Sequence, residues 1–192
     1  MLRKFTTIMS LMILSTQLQA EGFDIRLANE TAEVNYLTES STFGYGGVDM
    51  GFGLFFNEAD DFMISGSAMV AGNSAGNNRS LQFGVGAKLA MIALNQGNLD
   101  EDVGALAIGL QARYLFPSAT PVALLAEGFI APRVVSFSGA EQYREYRLAI
   151  ELEVTPSARA YIGYRKMEVD LENINPDIEI DDHAHLGIKV EF

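Results

Sequence analysis

The stretch REYRLAIELEV, Arg144 to Val154, places Tyr146, Leu148, Ile150, Leu152 and Val154 at every second position. Glu145, Arg147, Ala149, Glu151 and Glu153 fall between them. A helix would bring its apolar residues round every three or four positions. A period of two puts them on one side of an extended strand and the polar set on the other. GALAIGLQARYLF, Gly104 to Phe116, sorts the same way: Leu106, Ile108, Leu110, Ala112, Tyr114 and Phe116 lie opposite Ala105, Ala107, Gly109, Gln111 and Arg113. So does the closing strand, where Ala184, Leu186, Ile188, Val190 and Phe192 alternate with His183, His185, Gly187, Lys189 and Glu191.

Working outward, FDIRLANETAEVNYL (Phe23 to Leu37) is a hairpin turning at Asn29–Glu30. Strands follow at VDMGFGLFF (Val48 to Phe56), FMISGSAMVAG (from Phe62), LQFGVGAKLAM (Leu81 to Met91), VALLAEGFIA (Val122 to Ala131) and ARAYIGYRKMEVDL (Ala158 to Leu171). Counting the first hairpin as two strands gives ten. Treating it as a poorly paired entry segment gives eight. Tyr164 and Met167 cannot share a face under strict alternation, which predicts a bulge near Arg165–Lys166. FPSATP and TPS are tight turns, while NQGNLDED, PRVVSFSGAEQ and ENINPDIEIDD are longer. Over the C-terminal half this ordering puts the long connections at one end.

Residues 1–20 stand apart. Arg3 and Lys4 precede the apolar run IMSLMIL, and a polar tail ends at Ala20, the order of a secretory signal peptide. Leu18 sits where a small residue is preferred before a cleavage site. The run is too short for the ~20 apolar residues of a spanning helix. The expected division is a signal peptide over 1–20 and one barrel domain over 21–192. Removing Arg3 and Lys4 takes the formal charge from −12 to −14. So acidic a chain repels phosphates, which excludes nucleic acid as a partner. With 48% apolar residues the chain can bury a core, which excludes disorder. It has no cysteine, so disulfides, Cys-based metal sites and a lipidated cysteine are excluded.

Period two does not say which face points inward. A soluble barrel hides its apolar face, whereas a membrane barrel turns it to lipid and keeps the polar face inside. Strand lengths near the ~9–11 residues of a tilted crossing favour the membrane. So do polar faces rich in Gly and Ala beside isolated charges, as a narrow lumen requires. Tyr45, Tyr114, Phe116 and Phe192 suit an aromatic girdle near the periplasmic rim. The expectation is an all-β fold: an antiparallel transmembrane β-barrel of ten strands (eight as the alternative), with both termini periplasmic, in the outer membrane of a Gram-negative bacterium. The ending HLGIKVEF resembles the C-terminal signal by which the assembly machinery recognises outer-membrane barrels. His185, Gly187, Val190 and Phe192 occupy its positions. The competing reading is the closing strand of a soluble periplasmic sandwich.

LFFNEADDFM (Leu54 to Met63), LQFGVGAKL (Leu81 to Leu89), GLQARYLFPSATPVAL (Gly109 to Leu124) and ARAYIGYRKMEVDLE (Ala158 to Glu172) resemble the YfaZ family of gammaproteobacterial exported proteins. The resemblance spans nearly the whole mature chain. It implies an outer-membrane location and a single barrel-like domain, and it carries over no catalytic residue.

The charges expected in the lumen are Asp24, Arg26, Glu33, Asp49, Lys88, Arg113, Glu127, Glu145, Arg147, Glu151, Glu153, Arg159, Lys189 and Glu191. Buried charges need partners, so they are expected to form a packed network, with Glu151 and Glu153 facing the strand of Arg159. The functional expectation is a structural barrel or a minor narrow channel for polar solutes, not an enzyme, with no cofactor. The rival is a lipid-modifying enzyme: His183 and His185 share a face beside Asp181, a pattern suited to metal binding or to a general base. No serine is placed to serve it, since Ser136 and Ser138 lie in a loop and Ser65 and Ser67 on a distant strand. The acidic loops carry Asp100, Glu101 and Asp102, then Asp170, Glu172, Asp177, Glu179, Asp181 and Asp182. Asp177, Glu179, Asp181 and Asp182 are weak candidates to share Mg²⁺ or Ca²⁺ with lipopolysaccharide phosphates, because hard cations take carboxylate oxygens. Gly44, Gly46, Gly47, Gly51 and Gly53 lack the Gly-Lys-Ser/Thr of a phosphate loop and are strand glycines. The expected partners are outer-membrane lipid, lipopolysaccharide and the barrel-assembly machinery. Oligomeric state is left open.

Overall fold

A computed structural model describes residues 22–40 (side chains to 38), 48–73, 80–96, 101–117, 121–172 and 177–192. The expected signal peptide, Gly44, Tyr45, Gly46, Gly47 and Asp100 lie outside the described residues. The strands are β1 (Gly22–Ala28), β2 (Thr31–Ser40), β3 (Val48–Asn57), β4 (Phe62–Asn73), β5 (Leu81–Leu94), β6 (Glu101–Leu115), β7 (Val122–Ala131), β8 (Ser136–Phe137), β9 (Ala140–Thr155), β10 (Ala158–Leu171) and β11 (Ile178–Glu191). A 3₁₀ turn, Arg133–Val135, precedes β8. No α-helix occurs among the described residues.

Ten of these strands close into an antiparallel barrel. Each pairs with its chain neighbours, β7 meets β9 across the two-residue β8, and β1 pairs with β11 to shut the sheet. Closure leaves no unpaired edge, which is the costly feature of an open sheet. The first hairpin is fully paired on both sides and turns at Asn29–Glu30 as expected, so the count is ten and not eight. β7 is short, and its pairing with β6 begins at Ile108 and Ile130. The exposed upper edge of β6 is taken by β8, with Gly104 opposite Phe137. The Phe137 ring occupies the space a Cβ on Gly104 would need.

An even strand count leaves Gly22 and Glu191 paired at the same end of the barrel, called the terminal end here. β1, β3, β5, β7 and β10 end at the far end, and β2, β4, β6 and β9 end at the terminal end. The asymmetry expected of the C-terminal half is present there: 156–157 is tight and 132–139 long. In the N-terminal half the far-end connections 29–30 and 58–61 are tight.

The expected bulge is in a different place. β10 alternates strictly, with Tyr164 outward and Met167 fully buried inward. The register instead shifts in β11, where Met167 faces Asp181 and Glu168 faces Glu179. The extra residue is Ile180. It lets Ile178 and Ile180 point inward and then flips the phase, so that Asp181, His183 and His185 also point inward.

The outer wall is apolar. Ile108 (70% exposed), Leu110 (65%) and Leu186 (63%) stand on it with the outward residues of every other strand. Rings gather at the terminal end, where Phe23 packs on Tyr36 and Phe192, and Tyr114 packs edge-on against Phe116 at 5.0 Å. At the far end the outer face of β9–β11 becomes charged, with Arg144, Lys166, Glu168, Asp170 and Glu179.

Candidate functional site in the barrel lumen

The lumen has three storeys, and only two of them are polar. At the far end lies an apolar plug built from Phe55, Met63, Leu94, Val103, Met167, Val169 and Ile180 and their neighbours. These residues come from the far-end halves of their strands, where the inward positions are apolar. Burying each large side chain is worth about 1.5–3 kcal/mol. This corrects the expectation of a polar interior throughout. Alternation sorts residues between inside and outside, and it carries no information about depth.

Below the plug sits a layer of closed ion pairs. Arg165 of β10, 2% exposed, donates from Nε to Asp181 Oδ2 at 2.7 Å and from Nη1 to Glu33 Oε2. Its guanidinium lies over the Phe55 ring, 5.0 Å from the centroid. Glu33 also accepts from Asn35 at 2.9 Å and from Arg26 at 3.2 Å. Arg26 reaches Asp24 at 2.8 Å, and Tyr161 donates its hydroxyl to the same carboxylate. A second group joins Lys88 Nζ and the Tyr143 hydroxyl to Glu145 Oε2, each at 2.6 Å. In this low-dielectric setting every charge of the layer has an opposite charge in contact, which is the condition for its burial. Arg165, the hub, is absent from the lumen charges expected from sequence. The apparent break at Arg165–Lys166 concealed that it shares a face with Arg159 and Tyr161.

Below this layer a polar cup of about 680 Å³ opens at the terminal end. Asp24, Asp49, Gln111, Glu127, Arg147, Glu151, Tyr161, Lys189 and Glu191 are among its lining residues. Arg113 donates to Glu151 at 2.8 Å, and Glu191 takes Lys189 at 3.0 Å and Arg159 at 3.4 Å. Glu153 is the register partner of Arg159, as the strand order implies, but Arg159 turns to Glu191 instead. Arg147 lies over the Tyr161 ring at 4.8 Å, with Glu127 at 3.5 Å. All fourteen charges expected in the lumen are thus on the inner face. They divide between the closed layer (Asp24, Arg26, Glu33, Lys88, Glu145) and the cup or its rim (Asp49, Arg113, Glu127, Arg147, Glu151, Glu153, Arg159, Lys189, Glu191).

The weak metal candidates do not converge. Asp181 points inward to Arg165 and His183, Asp182 accepts from the Tyr164 hydroxyl, Glu179 is outward near Lys166, and Asp177 bonds Arg144. Asp177, in the far-end loop, is held below the usual carboxylate range by its hydrogen bond with Asp170 and by Arg144. Among the described residues no cluster of three His, Cys, Asp or Glu is placed to hold a metal. His183 Nδ1 lies 2.9 Å from Asp181, while His185 is 5% exposed with its ring edge-on to Tyr161. Asp61 is a further buried carboxylate, not singled out from sequence. It accepts from Asn57, from the Asn95 backbone N–H and from Gln96, lashing the 58–61 turn to the β5–β6 connection over the plug. The signal for it was local: an Asp in a tight turn four residues after an Asn.

A closed antiparallel barrel of ten strands, apolar outside and charged within, is the class this geometry defines. The family model described as YfaZ precursor matches residues 2–192, and the chain belongs to the YfaZ family. No curated protein and no solved structure matches it.

Proposed function

We propose that the chain is an integral outer-membrane barrel of a Gram-negative bacterium with a structural role and a lumen closed to solute flow. The precursor description supports export through a signal peptide over 1–20, giving a mature barrel from residue 21. The apolar outer wall supports lipid contact, since an exposed belt of this size on a soluble domain would aggregate. The observation that carries the closed reading is the pair of stacked seals: an apolar plug over a buried ion-pair layer. A minor polar-solute channel would need a water path through both.

The partners under this reading are outer-membrane lipid and lipopolysaccharide. The assembly machinery would engage Gly187, Val190 and Phe192 during insertion. The protein is taken as non-enzymatic, because Asp181 is committed to Arg165 and, among the described residues, no serine bonds His183 or His185. Membrane fractionation with a heat-modifiable gel shift tests the barrel in the membrane; recovery in the soluble periplasm would sink it. Planar bilayer recording tests closure, and discrete conductance steps from the wild-type protein would restore the channel.

A further inference from the structure

One side of the cup carries three polar side chains in a row. The register sets Gln111 of β6 opposite Glu127 of β7, and Glu127 opposite Arg147 of β9. All three point inward and line the cavity. Such cross-strand neighbours stand about 4.5–5.5 Å apart.

Arg147 is unlike the other buried cations of the lumen. Arg26, Lys88 and Arg165 each hold a carboxylate within 2.8 Å. Arg147 is only 7% exposed, yet it makes no hydrogen bond among the described residues. Glu127 approaches it no closer than 3.5 Å, and its Nε is buried without a partner. A guanidinium offers five donors, and leaving buried donors unused costs free energy. Glu127 and Gln111 likewise make no side-chain hydrogen bond among the described residues. The site thus presents a donor fork, an acceptor and an amide side by side, with only a long ion pair of 3.5 Å joining the first two.

We propose that the cup binds a small zwitterion, an α-amino acid or short peptide entering from the terminal end. Its carboxylate accepts from Arg147, its ammonium donates to Glu127, and Gln111 bonds either the backbone or the side chain of the ligand. Five carboxylates line the cup against three cations: Asp24, Asp49, Glu127, Glu151 and Glu191 against Arg26, Arg147 and Lys189. Of those cations, Arg26 and Lys189 are closely paired, while Arg147 has only Glu127 at 3.5 Å. A simple anion meets net repulsion, and a simple cation that takes Glu127 leaves Arg147 without its carboxylate. A ligand carrying both charges satisfies each wall group with its opposite. The volume lies within the ~300–1,000 Å³ of small-molecule sites.

The test uses the folded, ¹⁵N-labelled barrel in detergent micelles, with glycine and alanyl-alanine as probes. Acetate, methylammonium and neutral N-acetylalanine amide are the controls. The Arg147 Nε resonance is identified by its loss in Arg147→Lys. The expected result is a saturable shift of that resonance with glycine, alanyl-alanine or both, the two arms separating a free amino acid from a peptide. Glu127→Gln should weaken the response at least about tenfold, the equivalent of 1.4 kcal/mol. No saturable shift at millimolar probe overturns the proposal, as does acetate matching the zwitterions or a response unchanged in Glu127→Gln. Each variant is first checked for the heat-modifiable shift. If a variant fails it, the wild-type comparison of zwitterions with acetate decides alone. Failure here leaves the membrane-barrel reading standing, because that rests on fractionation.

Discussion

The hydroxyl end of the Tyr161 ring covers Gly187 and occupies the space that a Cβ there would need. The two residues face each other across β10 and β11, and the Tyr161 hydroxyl continues from there to Asp24. Gly187 therefore has a packing role, separate from the assembly-signal role proposed for it. Gly187→Ala should destabilise the folded barrel by about 1–3 kcal/mol, the usual cost of overpacking. Tyr161→Ala in the same chain should restore part of it, because the clashing ring is gone. Urea unfolding in lipid vesicles measures both. A double variant no more stable than Gly187→Ala would show that the glycine is needed for recognition and not for space.

Arg165 holds the central layer together. Arg165→Met leaves Glu33 and Asp181 buried without their main cation, and should cost about 3–5 kcal/mol. Adding Glu33→Gln and Asp181→Asn removes the orphaned charges and should recover a large part of that loss. The readout is the same unfolding transition. If the single variant is as stable as wild type, water is reaching the layer and the seal is not dry.

The plug and the ion-pair layer block flow in series. Wild-type protein in a planar bilayer should therefore show no steps. Truncating the plug alone, by Phe55→Ala with Met63→Ala and Met167→Ala, should still give none, because the ion-pair layer remains. Combining it with Arg165→Ser should produce small, unsteady steps. Conductance from the plug variant alone would assign closure to the apolar storey only.

Ile150 sits mid-belt on the outer face of β9, between Tyr146 and Val154, and is 53% exposed. Ile150→Arg should cost about 2–4 kcal/mol if it faces the bilayer midplane. Glu168→Arg, on the charged far-end rim of β10, should cost about 0–1 kcal/mol by the same depth dependence. A soluble barrel predicts the reverse for Ile150, since a surface arginine in place of an exposed isoleucine is harmless or helps solubility. Vesicle refolding of the two variants separates the cases.

Much of this fold was legible because its cause is local. Leu148, Ile150 and Leu152 alternate within one strand, and Asn29–Glu30 carries its turn chemistry with it. What escaped depends on pairing between distant strands. The bulge at Ile180 appears only when β11 is laid against β10, and it alone turns Ile178 and Ile180 inward. Arg165 belongs to a layer with Glu33, 132 residues away. The row of Gln111, Glu127 and Arg147 needs β7 to pair with β9 across β8, a step no period-two pattern encodes. Inside versus outside is written along a strand; height within the lumen is written only in the register.

Phe192 closes the chain on the outer face, 72% exposed, its ring 6.1 Å from that of Phe23. It makes no contact with the ion-pair layer, so its removal leaves the ion pairs of that layer intact. The loss to equilibrium stability should be no more than the ~0.5–1.5 kcal/mol of one aromatic pair. If Phe192 also serves as an assembly signal, deletion should slow insertion in cells far more than it lowers stability in vesicles. Phe192→Tyr keeps the ring and its packing on Phe23, and should assemble close to normally. Pulse-labelled assembly, read by the heat-modifiable shift, measures the rate, and urea unfolding measures the stability. Normal assembly without Phe192 would reduce the residue to a rim aromatic, while equal losses in both measurements would make packing its whole role.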